Sequence, residues 1–192
     1  MTSQVKELST AIVCKGISVR TTNNAEISFE TAKLGRLWQK FYQNHVSHLD
    51  EGEDIYGVFH NYESEDLVGA FDVVASWKVE SEQTAGQDSS ESNKRSEESS
   101  KDSKDSNVLR PENILSAAHG SDVITVTIPA GKYLVFTEEG RMPNTVMNAW
   151  EKAWEYFHDR DCEHTRTYNV DFEHYIGGNL EYGQLDLYIG IE

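Results

Sequence analysis

The chain has 192 residues, 38% of them hydrophobic and 26% charged, enough for one ordinary domain or two small modules with a real core. Its formal net charge of −16, with a pI near 4.8, argues against nucleic acid as a direct partner, since proteins that grip a phosphate backbone show a basic footprint. The opening MTSQVKELST has no apolar signal core and no apolar run is long enough to span a bilayer, so a cytoplasmic protein with no membrane partner is expected.

In chain order, residues 1–10 read as an N-terminal tail. AIVCKGISVRTT, from Ala11 to Thr22, has the composition of a strand, and Asn23-Asn24 is a turn signal. Leu34, Leu37, Trp38, Phe41, Tyr42 and His45 then fall at the spacing that one face of a helix presents to a core. Strands are predicted over 55–62 and 69–79, the second with Phe71, Val73, Ala75, Trp77 and Val79 on one face. Residues 11–80 therefore form a first βαββ module.

From Ser81 to Asn107 there is no aromatic residue and no Val, Ile, Leu or Met. Such a run cannot offset its ordering entropy with buried apolar surface, so disorder is expected there, within a polar insertion or linker over 81–120. The second module spans 121–192. Strands over 122–128 and 132–137 flank Pro129-Ala130-Gly131, and Pro143 suits the first turn of a helix. Val146, Ala149, Trp150, Ala153, Trp154 and Phe157 repeat the helical stripe seen from Leu34.

The last stretch, from Tyr168 to Glu192, reads as a β-hairpin with a Gly-rich connection. Leu185, Leu187, Ile189 and Ile191 alternate with Gln184, Asp186, Tyr188 and Gly190, while Asp171, Glu173 and Tyr175 share one face of the first strand. The expectation is that Asp171, Glu173, Tyr175, Asp186 and Tyr188 gather in one patch of carboxylates and phenols. The two modules also align with each other. Trp38 matches Trp150 (150 − 38 = 112), F-H-N-Y at 59–62 matches F-E-H-Y at 172–175 (172 − 59 = 113), and Phe71-Asp72 matches Leu185-Asp186 (185 − 71 = 114). A nearly constant offset is the mark of an internal repeat, and this alignment pairs His60 with Glu173. The fold class expected is α+β, a tandem βαββ repeat with pseudo-twofold symmetry and a groove at the junction.

D-F-E-x-Y at 171–175 and L-x-L-Y-I-G-I at 185–191, after I-P-A-G-K-Y-L-V-F at 128–136 and W-x3-W at 150–154, resemble the GyrI-like, AraC-type effector-binding domain family. The resemblance implies a fold that binds small, often cationic and lipophilic molecules, with the glutamate of the F-E-x-Y segment, Glu173, in the pocket. Aromatic residues expected to join it as ligand-binding groups are Trp38, Tyr42, Phe59, Trp77, Trp150, Tyr175 and Tyr188. Core packing is the ordinary role of aromatics on a helical stripe, and a solvated sheet face is the ordinary place for a glutamate.

The partner expected is thus a small lipophilic cation, bound by a sensor, carrier or sequestering protein. No cofactor is expected. About ten residues precede the first strand, too few for a helix-turn-helix segment of the kind often fused to such domains. Two rival readings stand beside this one. Some GyrI-like relatives are hydrolases, which would make Glu173 a general base assisted by Tyr175, Tyr188 or Asp186, although no G-x-S-x-G nucleophile elbow is present. The family also includes gyrase-modulating proteins, and the acidic charge suits a basic protein partner. Cys14 and Cys162 make neither a disulfide framework nor a metal motif, and His158, Asp161, Cys162 and His164 match no familiar zinc spacing.

Overall fold

Alternating hydrophobic and polar residues build the strands, and the two amphipathic stripes build the helices that cover them. The computed structural model describes residues 3–79 and 123–192, so the polar stretch 81–107 and the whole of the linker 81–120 lie outside the described residues. In chain order the elements are β1 (Ser3–Leu8), β2 (Ile12–Thr21), α1 (Asn23–Ile27), α2 (Leu34–Asn44), β3 (Ile55–His60), β4 (Phe71–Lys78), β5 (Ile124–Ile128), β6 (Gly131–Arg141), α3 (Asn144–His158), β7 (Val170–Tyr175) and β8 (Tyr182–Gly190). Among the described residues, no helix is long and apolar enough to cross a membrane.

The strands form a single antiparallel sheet in the order β1-β6-β8-β7-β3-β4-β2-β5. Exchanging β1 with β5, β2 with β6, β3 with β7 and β4 with β8 reverses this order and leaves it unchanged. The symmetry axis therefore passes between β7 and β3, the two central strands. Residues 3–8, read from sequence as part of a tail, form β1, which pairs along β6 of the second module. In the same way β5 pairs along β2 of the first. Each module caps the other's edge, which hides a row of unpaired backbone groups that would otherwise be open to solvent.

Strand register corrects the internal alignment. His60 pairs with Asp72 across β3–β4, and His174 pairs with Asp186 across β7–β8, so both positions shift by the same amount (174 − 60 = 114, 186 − 72 = 114). The counterpart of Glu173 is then Phe59, not His60, and the counterpart of Asp171 is Gly57. Matching F-H-N-Y to F-E-H-Y slips by one residue, and a one-residue slip in a strand turns every side chain to the other face.

Helices α2 and α3 lie on one face of the sheet. Helix α2 rests on β2 and β4, and α3 on β6 and β8. Leu37 and Phe41 of α2 and Ala149 and Ala153 of α3 are buried against the strands. The small alanines let α3 approach closely, which carries Trp150 toward the floor. On the opposite face a second cluster holds Tyr56, Val58, Val74, Val126, Ile128, Tyr133, Val135, Phe172 and Tyr188. There β5 comes back into contact with β7, so the sheet curls around this second core.

Candidate functional site

Because each helix sits over the strands of its own module, β3 and β7 form the floor of a cleft between α2 and α3. Cross-strand pairs set the side chains on that floor: Ile55 opposite Tyr175, Gly57 opposite Glu173, and Phe59 opposite Asp171. Trp38 leans in from α2 and Trp150 from α3. Their indoles meet the floor at Tyr175 and Phe59, with ring centroids 5.0 Å apart for Trp38–Tyr175 and 4.8 Å for Trp150–Phe59.

Glu173 lies at the centre and is only 2% exposed. Its Oε1 accepts a hydrogen bond from Trp150 Nε1 at 2.7 Å, and its Oε2 accepts one from the Tyr175 hydroxyl at 2.7 Å. Neither donor is a cation. Burial pushes the carboxyl up to about 7, against the lowering effect of the two donated hydrogen bonds. Burial and the neighbouring carboxylate hold the Tyr175 phenol well above its ordinary value, so it remains the donor.

Gly57 makes this arrangement possible. A Cβ there would lie 2.6 Å from Glu173 Oε2 and 3.0 Å from the Trp38 ring. The glutamate side chain thus occupies the space that a side chain on the facing strand would fill.

Asp171, two residues before Glu173 on the same face, is handled differently. It is fully buried, and its Oδ2 accepts from Arg166 Nη2 at 2.5 Å and from the Tyr62 hydroxyl at 2.6 Å. Its Oδ1 accepts from the Gly190 amide at 2.9 Å. The Arg166 guanidinium stands 4.3 Å from the Tyr168 ring centre and 6.0 Å from that of Trp150.

Of the residues expected to bind ligand, Glu173, Trp38, Trp150, Tyr175 and Phe59 come together here. Tyr42 is one turn along α2 from Trp38 and is 52% exposed, at the rim. Two expectations are corrected. Tyr188, with Asp186, lies on the opposite face of the sheet, because Glu173 pairs with Leu187 and cross-strand partners point the same way. Tyr188 stacks on Phe172 at 4.3 Å in the second core, and Asp186 binds Lys6, Thr137 and Gln184 there. Trp77 packs against Phe41 and His45 beneath the end of α2, away from Glu173.

Gly57 and the Arg166–Asp171 pair went unread in the sequence. Glycine inside an otherwise aromatic and branched strand is a signal of close approach, and IYGVFH carries it. Nothing local marks Arg166 as the partner of Asp171. A cavity of about 370 Å³ opens elsewhere, lined by Val5, Leu134, Tyr156, Asp161, Cys162 and His164 among others. The space above Glu173 is instead filled by the two indoles.

A profile of the integron-associated effector-binding protein family matches residues 117–191. An integron cassette protein from the mobile metagenome of Vibrio cholerae is 30% identical in sequence, with a TM-score of 0.69 over 99% of this chain and 95% of that one. The protein SAV2435, solved bound to tetraphenylphosphonium, shares the fold at 19% identity, with a TM-score of 0.58 over 100% of this chain and 94% of that one. No curated protein matches the sequence. The architecture is that of a GyrI-like effector-binding domain. Within that class, the chain belongs to the integron-associated effector-binding protein family.

Proposed function

We propose that this protein binds small lipophilic cations in the cleft between α2 and α3, with Glu173 as their counter-charge. The observation that carries the reading is a carboxyl 2% exposed whose two hydrogen bonds come only from neutral groups. An ionised carboxylate in such a place costs several kcal/mol unless a positive partner offsets it. A ligand cation supplies that partner. Trp38, Trp150, Phe59 and Tyr175 gather around the carboxyl, and each cation–π contact a ligand makes with one of their ring faces contributes about 0.5–2 kcal/mol, whereas a micromolar complex needs about 8 kcal/mol in all. Apolar contact supplies most of the affinity, and Glu173 supplies the preference for charge.

Side chains fill the space above Glu173, so binding requires Trp38 or Trp150 to turn outward. Both are half-buried, and the rim beside them carries Tyr42 and Trp154, 52% and 37% exposed. The tetraphenylphosphonium complex of SAV2435 supports this reading through the shared fold. In this role the protein acts as a sensor, carrier or sequestering module.

Glu173→Gln keeps the shape of the site and removes its charge. Calorimetric titration is expected to show tetraphenylphosphonium weakened by about tenfold or more, with triphenylphosphine oxide, a neutral molecule of similar bulk, nearly unaffected. Equal losses for both compounds, or no binding of either to the wild type, would overturn the reading.

A hydrolytic reading draws on the same carboxyl, since a base held near about 7 suits proton abstraction at neutral pH. Turnover of a reactive electrophile by the wild type, abolished in Glu173→Gln, would favour it over binding alone.

A further inference from the structure

The cleft floor holds two carboxylates on one face of β7, two residues apart, and only one of them lacks an internal cation. We infer that the Arg166–Asp171 pair limits this cleft to ligands with a single positive charge, by cancelling the second carboxylate of the floor and leaving Glu173 alone to be balanced. The inference rests on the binding role proposed above and adds the charge number of the ligand.

The pair is built into the fold. Asp171 is fully buried and the Arg166 side chain is 7% exposed, so water screens neither charge. Three donors saturate the aspartate: Arg166, Tyr62 and the Gly190 amide. Arg166 stands against two aromatic rings that touch each other edge to face, 4.3 Å from the centre of Tyr168 and 5.3 Å from that of Tyr62. Tyr168 holds a left-handed backbone, φ 50°, at the turn between Arg166 and β7. A side chain other than glycine resists that conformation because its Cβ crowds the backbone. The turn brings Arg166 back over Asp171, so the neutral pair is maintained against local strain.

Trp150 connects the two centres. Its Nε1 binds Glu173, and its ring lies 6.0 Å from the Arg166 guanidinium. A ligand seated on Glu173 therefore meets one uncompensated negative charge, with a neutral ion pair beyond the indole. A second positive charge on the ligand would face Arg166 or lie among apolar groups with no partner, which is unfavourable in either place.

The test uses two flat ligands of nearly the same size and shape, the monocation N-methylphenylpyridinium and the dication N,N′-dimethylbipyridinium, titrated calorimetrically into the full chain. Wild-type protein is expected to prefer the monocation by about tenfold or more. Arg166→Gln, which exposes the Asp171 charge to the cleft, is expected to erase or reverse that ratio. If Arg166→Gln does not fold, the neutral double variant Arg166→Gln/Asp171→Asn decides, and it is expected to keep the monocation preference because one carboxylate remains. Equal affinity of the wild type for both ligands, an unchanged ratio in folded Arg166→Gln, or loss of the preference in the double variant would each overturn the inference. Failure of the wild type to bind either ligand or tetraphenylphosphonium would instead overturn the binding role beneath it.

Discussion

Gly57 and Glu173 face each other across the central strand pair, and the side chain that Gly57 lacks is the space in which the Glu173 carboxyl lies. One residue type on β3 therefore decides whether an acid on β7 can lie flat against the sheet, within reach of Trp150 and Tyr175. Gly57→Ala is expected to push the carboxyl off both donors and to lower stability by about 1–3 kcal/mol, the usual cost of overfilling a packed site. Urea unfolding measures it. An unchanged midpoint would mean that the glutamate has room to move and that Gly57 is incidental.

Stability and binding should depend on pH in opposite directions through the same group. The folded state raises the Glu173 pKa from an ordinary 4.5 to about 7, so between those values the native protein holds a proton that the unfolded chain releases. Stability of the unliganded protein is thus greatest on the acid side, declines as pH rises toward about 7, and changes no further above it through this group. Glu173→Gln removes this component, so wild type and variant should differ most at about pH 8, with the variant the more stable. Cation affinity should instead rise with pH through about 7, with proton release on binding. Calorimetry in buffers of different ionisation enthalpy reads that proton, and a flat affinity profile across this range would contradict the role of Glu173.

Trp150 both donates to Glu173 and packs on Phe59. Trp150→Phe keeps an aromatic ring and removes the donor, leaving a buried acceptor unmet at about 1–3 kcal/mol when the carboxyl is ionised. Chemical denaturation should therefore show a larger loss at about pH 8 than at about pH 5, where the carboxyl carries its own proton. Equal losses at the two values would attribute the effect to packing alone.

Two ion pairs on opposite faces of the sheet should differ sharply in worth. Asp171→Ala strands the buried Arg166 and is expected to cost about 3–5 kcal/mol. The Arg20–Asp72 pair, with side chains 48% and 22% exposed, is screened by water, so removing its contribution is expected to cost about 0–1 kcal/mol. A double-mutant cycle on each pair separates the coupling from other effects of the substitutions. Similar coupling energies for the two would contradict the burial argument.

How much of this was legible beforehand depended on the range of the interaction. The stripes from Leu34 and from Val146 predicted α2 and α3 because helical periodicity is written in neighbouring residues, and alternation marked both strands of the last hairpin for the same reason. The family resemblance and the repeated stripe lead to Glu173, Trp38 and Trp150, and the structure brings these three side chains close together. Tyr188 was misplaced because alternation says which residues of one strand share a face, but not which face of the next strand joins them. Residues 3–8 look like a polar tail because their partner, β6, lies more than a hundred residues away.

The sequence by itself determined the α+β class, the two amphipathic helices and the strands that alternate around them. These follow from local period and composition, which act before any distant contact forms. Only the tertiary structure decided that β1 and β5 cross to the opposite modules, that Gly57 yields its space to Glu173, and that Arg166 cancels Asp171 but leaves Glu173 uncompensated. Register and charge pairing join residues far apart in the chain, and the energy that selects them exists only once the strands lie side by side and water has left the interface between them.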